Sequence, residues 1–113
     1  MKENSLYLIH ILDCIHRIEE YTKAGHEAFQ QSTMAQDAVL RNLEIIGEAS
    51  RRLDQIFRDA HPEIPWRDIA GLRNVLIHDY PGVNLAEVWR ICQRDVPELK
   101  KQIAAILGSQ PQT

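Results

Sequence analysis

The sequence predicts an all-α fold, an antiparallel bundle of four main helices with a kinked or divided last helix. Apolar residues recur at steps of three and four along most of the chain. No segment alternates apolar and polar residues for long enough to form a strand. Prolines and glycines fall between the periodic segments, which favours short connections. A length of 113 residues suits one helical domain over 1–113, with 107–113 as a frayed tail.

The first predicted helix runs from Asn4 to about Ala24 and ends at Gly25, a residue type that suits a helix C-cap. Its apolar stripe consists of Leu8, Ile11, Leu12, Ile15, Ile18 and Tyr21. The following segment, 26–31, is read as a short turn of helix or a loop.

The second predicted helix runs from Met34 to about Ala60, with Thr33 as its N-cap and Gln36 as the capping-box partner. Its apolar stripe repeats at close to heptad spacing through Val39, Leu43, Ile46, Leu53 and Phe57. Small residues at positions 47, 49 and 50 predict the close approach of another helix and are a candidate second interface.

Two prolines, at 62 and 65, separate the second helix from a third, which begins near Trp66. The third helix has to end by Tyr80, because the residue before a proline is biased out of the helical region and Gly82 completes the break. Asn84 is the predicted N-cap of the fourth helix, with Glu87 at the third helical position. Pro97 is expected to kink or divide that helix.

Composition excludes several classes of protein. The formal net charge of −3 argues against a protein that coats nucleic acid through bulk positive charge, although a small basic site remains compatible with it. The chain carries no signal-peptide pattern and no membrane-length apolar run, so we expect a soluble, cytoplasmic protein that does not bind membranes. Seven arginines and no lysine lie between Arg51 and Arg94, and arginine suits planar phosphate contacts.

The sequence gives little support for a metal or cofactor. No histidine pair has zinc-protease spacing, no Cys-x-x-Cys exists, and there is no glycine-rich phosphate loop. The two cysteines, Cys14 and Cys92, lie among apolar residues and read as reduced core thiols. We therefore expect neither a metal site nor a cofactor.

The segment "RNVLIHDYPGVN", residues 73–84, combines an apolar centre with a polar surround. Asn74 and His78 lie four residues apart and share a helix face, whereas Arg73 lies about 140° round the helix from His78. The arginine and histidine therefore need a distorted last turn, or a groove between helices or subunits, to meet. A purely structural alternative stays open, in which His78 complements the helix C-terminus and Arg73 pairs with a neighbouring aspartate.

Glu44 and Glu48 lie four residues apart on one face of the second helix. The simpler interpretation is a solvated face on which Arg41 and Arg51 or Arg52 neutralise the two carboxylates. The alternative is that the carboxylates orient Arg73 or His78 from the adjacent helix, as candidate supporting residues behind the site.

The stretch "RNVLIHDY" resembles the Arg-x4-6-His signature of the HEPN superfamily, and its longer form resembles the Arg-Asn-x3-His-x-Tyr signature of HepT-type toxins. "RNLEIIGEASRRL", "IPWRDIAGLRN" and "YPGVNLAEVWRICQRDVPEL" are also similar to that family, in the same order. The resemblance covers most of the chain and is strongest over 38–99.

The resemblance implies the toxin of a type VII-like toxin–antitoxin pair, a metal-independent endoribonuclease. By position, Arg73 and His78 take the catalytic roles and Asn74 a supporting one. It also implies a homodimer or higher even oligomer, in which two subunits bring the motif helices together.

Tyr80 matches the tyrosine that such toxins present to a minimal nucleotidyltransferase antitoxin of the MntA type. The antitoxin adds AMP to this tyrosine, which places bulk and negative charge at the RNA site. The alternative function is a non-catalytic helical binding partner of a nucleotidyltransferase. Harm to cells that express the chain alone separates the two.

Overall fold

The computed structural model describes residues 2–78 and 84–109, without the side chains of residues 2, 73–78 and 109. Within these ranges every regular element is a helix. In chain order the elements are α1 (Lys2–Thr22), α2 (His26–Gln31), α3 (Thr33–Arg51), α4 (Gln55–Ala60), α5 (Trp66–His78), α6 (Leu85–Arg90), a π-helical segment (Ile91–Asp95) and α7 (Val96–Ser109). The predicted all-α class is confirmed, and α2 and α4 are short additions to the four main helices.

The core lies where α1, α3, α5 and the last helix meet. Helix α3 packs between α1 and α5, and α7 and the π-helical segment pack on α1. The predicted apolar stripes supply the interior, in which the fully buried side chains include Leu8, Ile11, Ile15, Ile18, Val39, Leu43, Ile46 and Ile103. Tyr21, predicted on the inward stripe, is an exception because 42% of it is exposed near the end of α1.

The prediction of one helix from Met34 to Ala60 is wrong. Helix α3 ends at Arg51, and α4 starts at Gln55 after the chain turns extended at Asp54 (φ −60, ψ 144). The break buries Leu53, which is 2% exposed. It is held by Asn4 of α1, whose Nδ2 donates to Asp54 Oδ2 at 3.2 Å and whose Oδ1 accepts from Asp54 N at 3.2 Å.

Asn4 is therefore a connection between two distant parts of the chain, and it is only 2% exposed. We expect Asn4→Ala to lower the free energy of unfolding by about 1–3 kcal/mol, because the substitution leaves the Asp54 amide without this acceptor. Urea denaturation measures the change. Glu3→Ala, at the exposed neighbouring position, is the matched control and should stay within about 0.5 kcal/mol of the parent. Equal stabilities for the two variants would contradict this role of Asn4.

Two helix starts test the capping predictions. Helix α3 starts one residue earlier than predicted, because Ser32 rather than Thr33 is the N-cap and accepts from Ala35 N at 3.1 Å. Gln36 instead donates to the carbonyls of Phe29 and Gln30, each at 3.0 Å. The Asn84 cap is confirmed, since its Oδ1 accepts from Glu87 N at 3.1 Å.

Pro97 shapes the last helix without dividing it. The helix runs on from Leu85 to Ser109, and the predicted irregularity takes the form of the π-helical segment just before the proline. A proline lacks the N–H that an α-helix needs and crowds the carbonyl four residues earlier. The wider turn accommodates it, with Val96 N donating to Ile91 O. Residues 107–109, predicted to belong to the frayed tail, are helical, and 110–113 lie outside the described residues.

Candidate functional site

Helix α5 carries the candidate residues, and its start is fixed by local interactions. Ile69 N donates to Pro65 O at 3.1 Å, so the proline stands at the head of the first turn, and the predicted start near Trp66 is confirmed. Trp66 is 8% exposed, and its indole Nε1 donates to His61 O at 3.0 Å. The Phe57 ring lies 6.2 Å from the Trp66 ring, centroid to centroid. The first turn of α5 is thereby fastened to α4 and the loop that follows it.

The body of α5 lies along α3. Ile69 is buried and Leu72 is half-buried on this helix, while Leu43, Ile46, Gly47 and Ser50 are buried on α3. The small side chains predicted to allow close approach are thus inside the bundle. Ser50 satisfies its buried hydroxyl by donating to Ile46 O at 2.8 Å.

The motif residues occupy the end of α5. Arg73, Asn74 and His78 have helical backbone, with His78 as the last residue of the helix. Their side chains lie outside the part that the structure describes, and so do Tyr80 and the break at Pro81 and Gly82. Their assignment to catalysis and modification stays a prediction.

Glu44 and Glu48 line a groove of about 590 Å³ between α1 and α3. Glu44 lies 3.0 Å from Arg41 Nη1, and Glu48 lies 3.5 Å from Arg52 Nη2. The predicted local neutralisation by arginines is confirmed for Arg41 and Arg52. Whether the carboxylates also orient Arg73 or His78 stays a prediction.

Sequence reasoning missed two side chains in this groove. Tyr7 and His10 of α1 face the ion pairs of α3 across it, together with Ile45 and Ala49. Their spacing of three residues on one face of α1 was the available signal. The groove places an imidazole and a phenol beside two exposed guanidinium groups, which is a suitable setting for polar contacts to a ligand or a second chain.

The described side chains contain no group of three or more His, Cys, Asp or Glu that could hold a metal ion.

Both cysteines are free and buried, as expected for core thiols. Burial raises the pKa of the Cys92 thiol to about 12, and burial likewise raises the pKa of Cys14 against the opposing effect of Arg17. The nucleophilic thiolate is therefore disfavoured at both positions near neutral pH.

Comparison with known proteins gives consistent matches. The family described as ribonuclease HepT-like matches residues 11–106. A probable ribonuclease HepT of Thermococcus cleftensis is 45% identical over 95 residues, which are 83% of this chain and 86% of the relative. A relative from Caldanaerobacter subterraneus subsp. tengcongensis, named "Putative RNase", is 43% identical over 108 residues, 95% of this chain and 96% of the relative.

A third relative is longer. A protein of Methanocaldococcus jannaschii, named "Gamma-glutamylcyclotransferase and putative RNase", is 45% identical over 107 residues. These residues are 94% of this chain but only 48% of that relative, so the chain spans about half its length. No solved structure matches.

The helical bundle and the Arg-x4-His segment at the end of α5 define a protein of the HEPN type. The chain belongs to the HepT-like ribonuclease family, whose match spans most of its length. In addition, no helix in residues 2–78 and 84–109 is long and apolar enough to cross a membrane.

Proposed function

We propose that this protein is an endoribonuclease that needs no metal and acts as the toxin of a toxin–antitoxin pair. Membership of the HepT-like ribonuclease family is the observation that carries the proposal. The position of Arg73 and His78 at the end of a helix packed on α3 supports the assignment of these two residues as the catalytic pair.

The chemistry follows from the residue types. The 2′-hydroxyl oxygen of a ribose attacks the adjacent phosphorus, and the bond from phosphorus to the 5′-oxygen of the next nucleotide breaks. The 2′-hydroxyl proton has to leave and the 5′-oxygen has to gain one, and an imidazole serves either step near neutral pH. The Arg73 guanidinium offsets the negative charge that grows on the phosphoryl oxygens. The products are a 2′,3′-cyclic phosphate and a 5′-hydroxyl.

Dimerisation is part of the proposal. Positions five residues apart, such as 73 and 78, lie about 140° apart round a regular helix. Two copies of α5 around a two-fold axis would therefore let the arginine of one subunit serve the histidine of the other. Asn74 supports the site by holding the imidazole or contacting the phosphate.

We further propose that a nucleotidyltransferase antitoxin neutralises the toxin by adding AMP to Tyr80.

Chelation tests the metal-independent mechanism. We expect the purified protein to cleave RNA at the same rate with and without excess EDTA, because guanidinium and imidazole supply the charge and proton transfer that a metal would otherwise supply. A labelled RNA followed on a denaturing gel measures the rate, and a magnesium-dependent nuclease treated in parallel confirms that chelation is complete. Loss of cleavage in EDTA would contradict the mechanism.

Expression of the gene alone separates the toxin from a non-catalytic binding partner. Only a toxin should arrest growth when it is expressed alone, and co-expression of the antitoxin should restore growth. A harmless chain without ribonuclease activity would establish the binding partner instead.

A further inference from the structure

A second groove, of about 430 Å³, lies where α3, α5, the π-helical segment and α7 meet. We call it the α5–α7 groove. Its floor is aliphatic and includes Leu43, Ile69, Leu72, Val96 and Leu99. A concave apolar surface of this size accommodates a few aliphatic side chains of a ligand.

The rim of the α5–α7 groove is acidic. Four carboxylates stand on it, from Glu63, Asp68, Asp95 and Glu98, and the described lining residues include no lysine or arginine. Glu63 lies 3.4 Å from His61 Nδ1. Within the described part of the chain, no ion pair joins Asp68, Asp95 or Glu98 to a basic residue. Arg90 interacts electrostatically with Asp95, so Asp68 and Glu98 are the rim carboxylates whose charge no described basic residue offsets by an ion pair.

The π-helical segment contributes to this arrangement. In an α-helix, Val96 would lie about 140° round the axis from Ile91. The wider turn, closed by the bond from Val96 N to Ile91 O, brings the two closer to the same side of the helix, and Ile91, Asp95 and Val96 all line the groove. The irregularity at Pro97 therefore adds one carboxylate and two aliphatic side chains to the same wall.

This combination selects one kind of occupant. Negative charge on the rim repels the phosphates of RNA, so the groove is unsuited to the substrate of the proposed nuclease. It favours a ligand with positive charge at its edges and apolar side chains at its centre. An amphipathic protein segment rich in lysine or arginine has both properties.

We propose that the α5–α7 groove docks a basic amphipathic segment of a partner protein, with aliphatic side chains on the floor and Lys or Arg side chains against the acidic rim. The interaction concerns a protein partner and requires no RNA cleavage, so it goes beyond the proposed ribonuclease function.

A synthetic peptide tests the proposal on the full chain. The probe is a helical peptide of about 15 residues with leucines on one face and lysines on the other. Two control peptides replace the lysines by glutamates or the leucines by serines. We expect the Leu/Lys peptide to shift the amide resonances of Ile69, Asp95 and Leu99 in a nitrogen-15 NMR titration. Each control peptide should bind at least about tenfold more weakly, because one lacks the positive charges and the other lacks the apolar face.

Charge reversal at the rim provides a second test of peptide binding. The double variant Asp95→Lys/Glu98→Lys and the single variant Asp68→Lys should each weaken Leu/Lys binding by about tenfold or more. Asp13→Lys, at an exposed position on α1 that does not line the groove, is the matched control and should bind as the parent does. Circular dichroism checks that each variant keeps its helical content.

Several outcomes would overturn the proposal. These are resonance shifts centred outside the groove, equal binding of the glutamate or serine peptide, or an equal loss in Asp13→Lys, which would indicate net charge alone. Self-association that the rim variants abolish would assign the groove to a second copy of this chain. Protection of the groove by RNA would assign it to nucleic acid.

Discussion

Replacing Arg73 or His78 with alanine is expected to lower RNA cleavage by about two to four orders of magnitude while the bundle stays folded. Loss of a general acid or base costs a factor of this size, and loss of a group that stabilises transition-state charge costs a comparable one. Both residues lie in the last two turns of α5, beyond the buried Trp66 and Ile69 that fasten the helix. Their truncation should therefore affect the chemistry far more than the stability.

Matched variants make this experiment specific. Arg67 is an exposed arginine in the first turn of α5, and His16 is an exposed histidine on α1. Arg67→Ala and His16→Ala change the same residue types outside the motif, so they should retain cleavage within a few-fold of the parent. Initial rates on a labelled RNA give the comparison, and thermal unfolding shows whether each variant is native. Retained cleavage in folded Arg73→Ala and His78→Ala proteins would remove both residues from the mechanism.

The pH dependence of the rate distinguishes proton transfer by His78 from a purely structural role of this residue. If His78 transfers protons, the rate of the parent should show a transition with pH in the neutral range, where an imidazole can gain and lose a proton. The residual rate of His78→Ala should lack that transition. Arg73→Ala should keep it at a lower rate, because the guanidinium contributes charge and no proton transfer.

Local sequence patterns predicted the parts of the fold that local interactions determine. The Asn84 cap depends on an amide three residues away, and the start of α5 depends on Pro65 and the turn beside it. The pairing of Glu44 with Arg41 likewise spans a single turn of α3. Each of these contacts joins residues only a few positions apart in the chain, so the spacing of residue types was enough to predict it.

The break between α3 and α4 was missed because its cause is remote in sequence. Periodicity continues through Leu53 and Phe57, which favoured one long helix. The side chain that stabilises the extended backbone at Asp54 belongs to Asn4, 50 residues earlier. For the same reason the groove between α1 and α3 was not foreseen, since it is lined by Tyr7 and His10 of one helix and by Glu44 and Glu48 of another.

Pro97 is an intermediate case. The sequence predicted an irregularity there, and the residue type explains why a regular α-helix is disfavoured. The sequence did not indicate whether the helix would break, bend or widen. The structure shows widening within a continuous helix, with Ile91 and Cys92 buried on the π-helical segment. Both side chains belong to the hydrophobic core.

The candidate site depended on a different kind of information. Helical geometry placed Arg73 and His78 on different sides of one helix, which by itself favoured neither chemistry nor a structural role. The similarity to the HepT-type segments supplied the hypothesis of catalysis. The match over residues 11–106 shows the family, and the roles of Arg73 and His78 stay a prediction. What geometry adds is the expectation that a second subunit completes the site.

Tyr80→Phe is expected to abolish AMP transfer to the toxin while leaving its ribonuclease activity in place. In the proposed transfer, the tyrosine hydroxyl gives up its proton to a base and its oxygen attacks the α-phosphorus of ATP. The bond from that phosphorus to the bridging oxygen breaks, and pyrophosphate leaves with its electrons. Phenylalanine keeps the ring and lacks the oxygen, so no bond can form. Tyr80 follows the last residue of α5 by two positions, and a group attached there would bring negative charge close to Arg73 and His78.

Intact-mass measurement of the toxin after incubation with the nucleotidyltransferase and ATP reads out this prediction directly. The parent should gain discrete AMP increments and lose cleavage activity, whereas Tyr80→Phe should keep its mass, its activity and its toxicity in the presence of the antitoxin. Tyr21→Phe, at a tyrosine that is 42% exposed on α1, is the matched control and should still accept AMP. AMP mapped by peptide sequencing to another residue would reject Tyr80 as the acceptor. An unmodified parent that is still silenced would show that the antitoxin acts by binding alone.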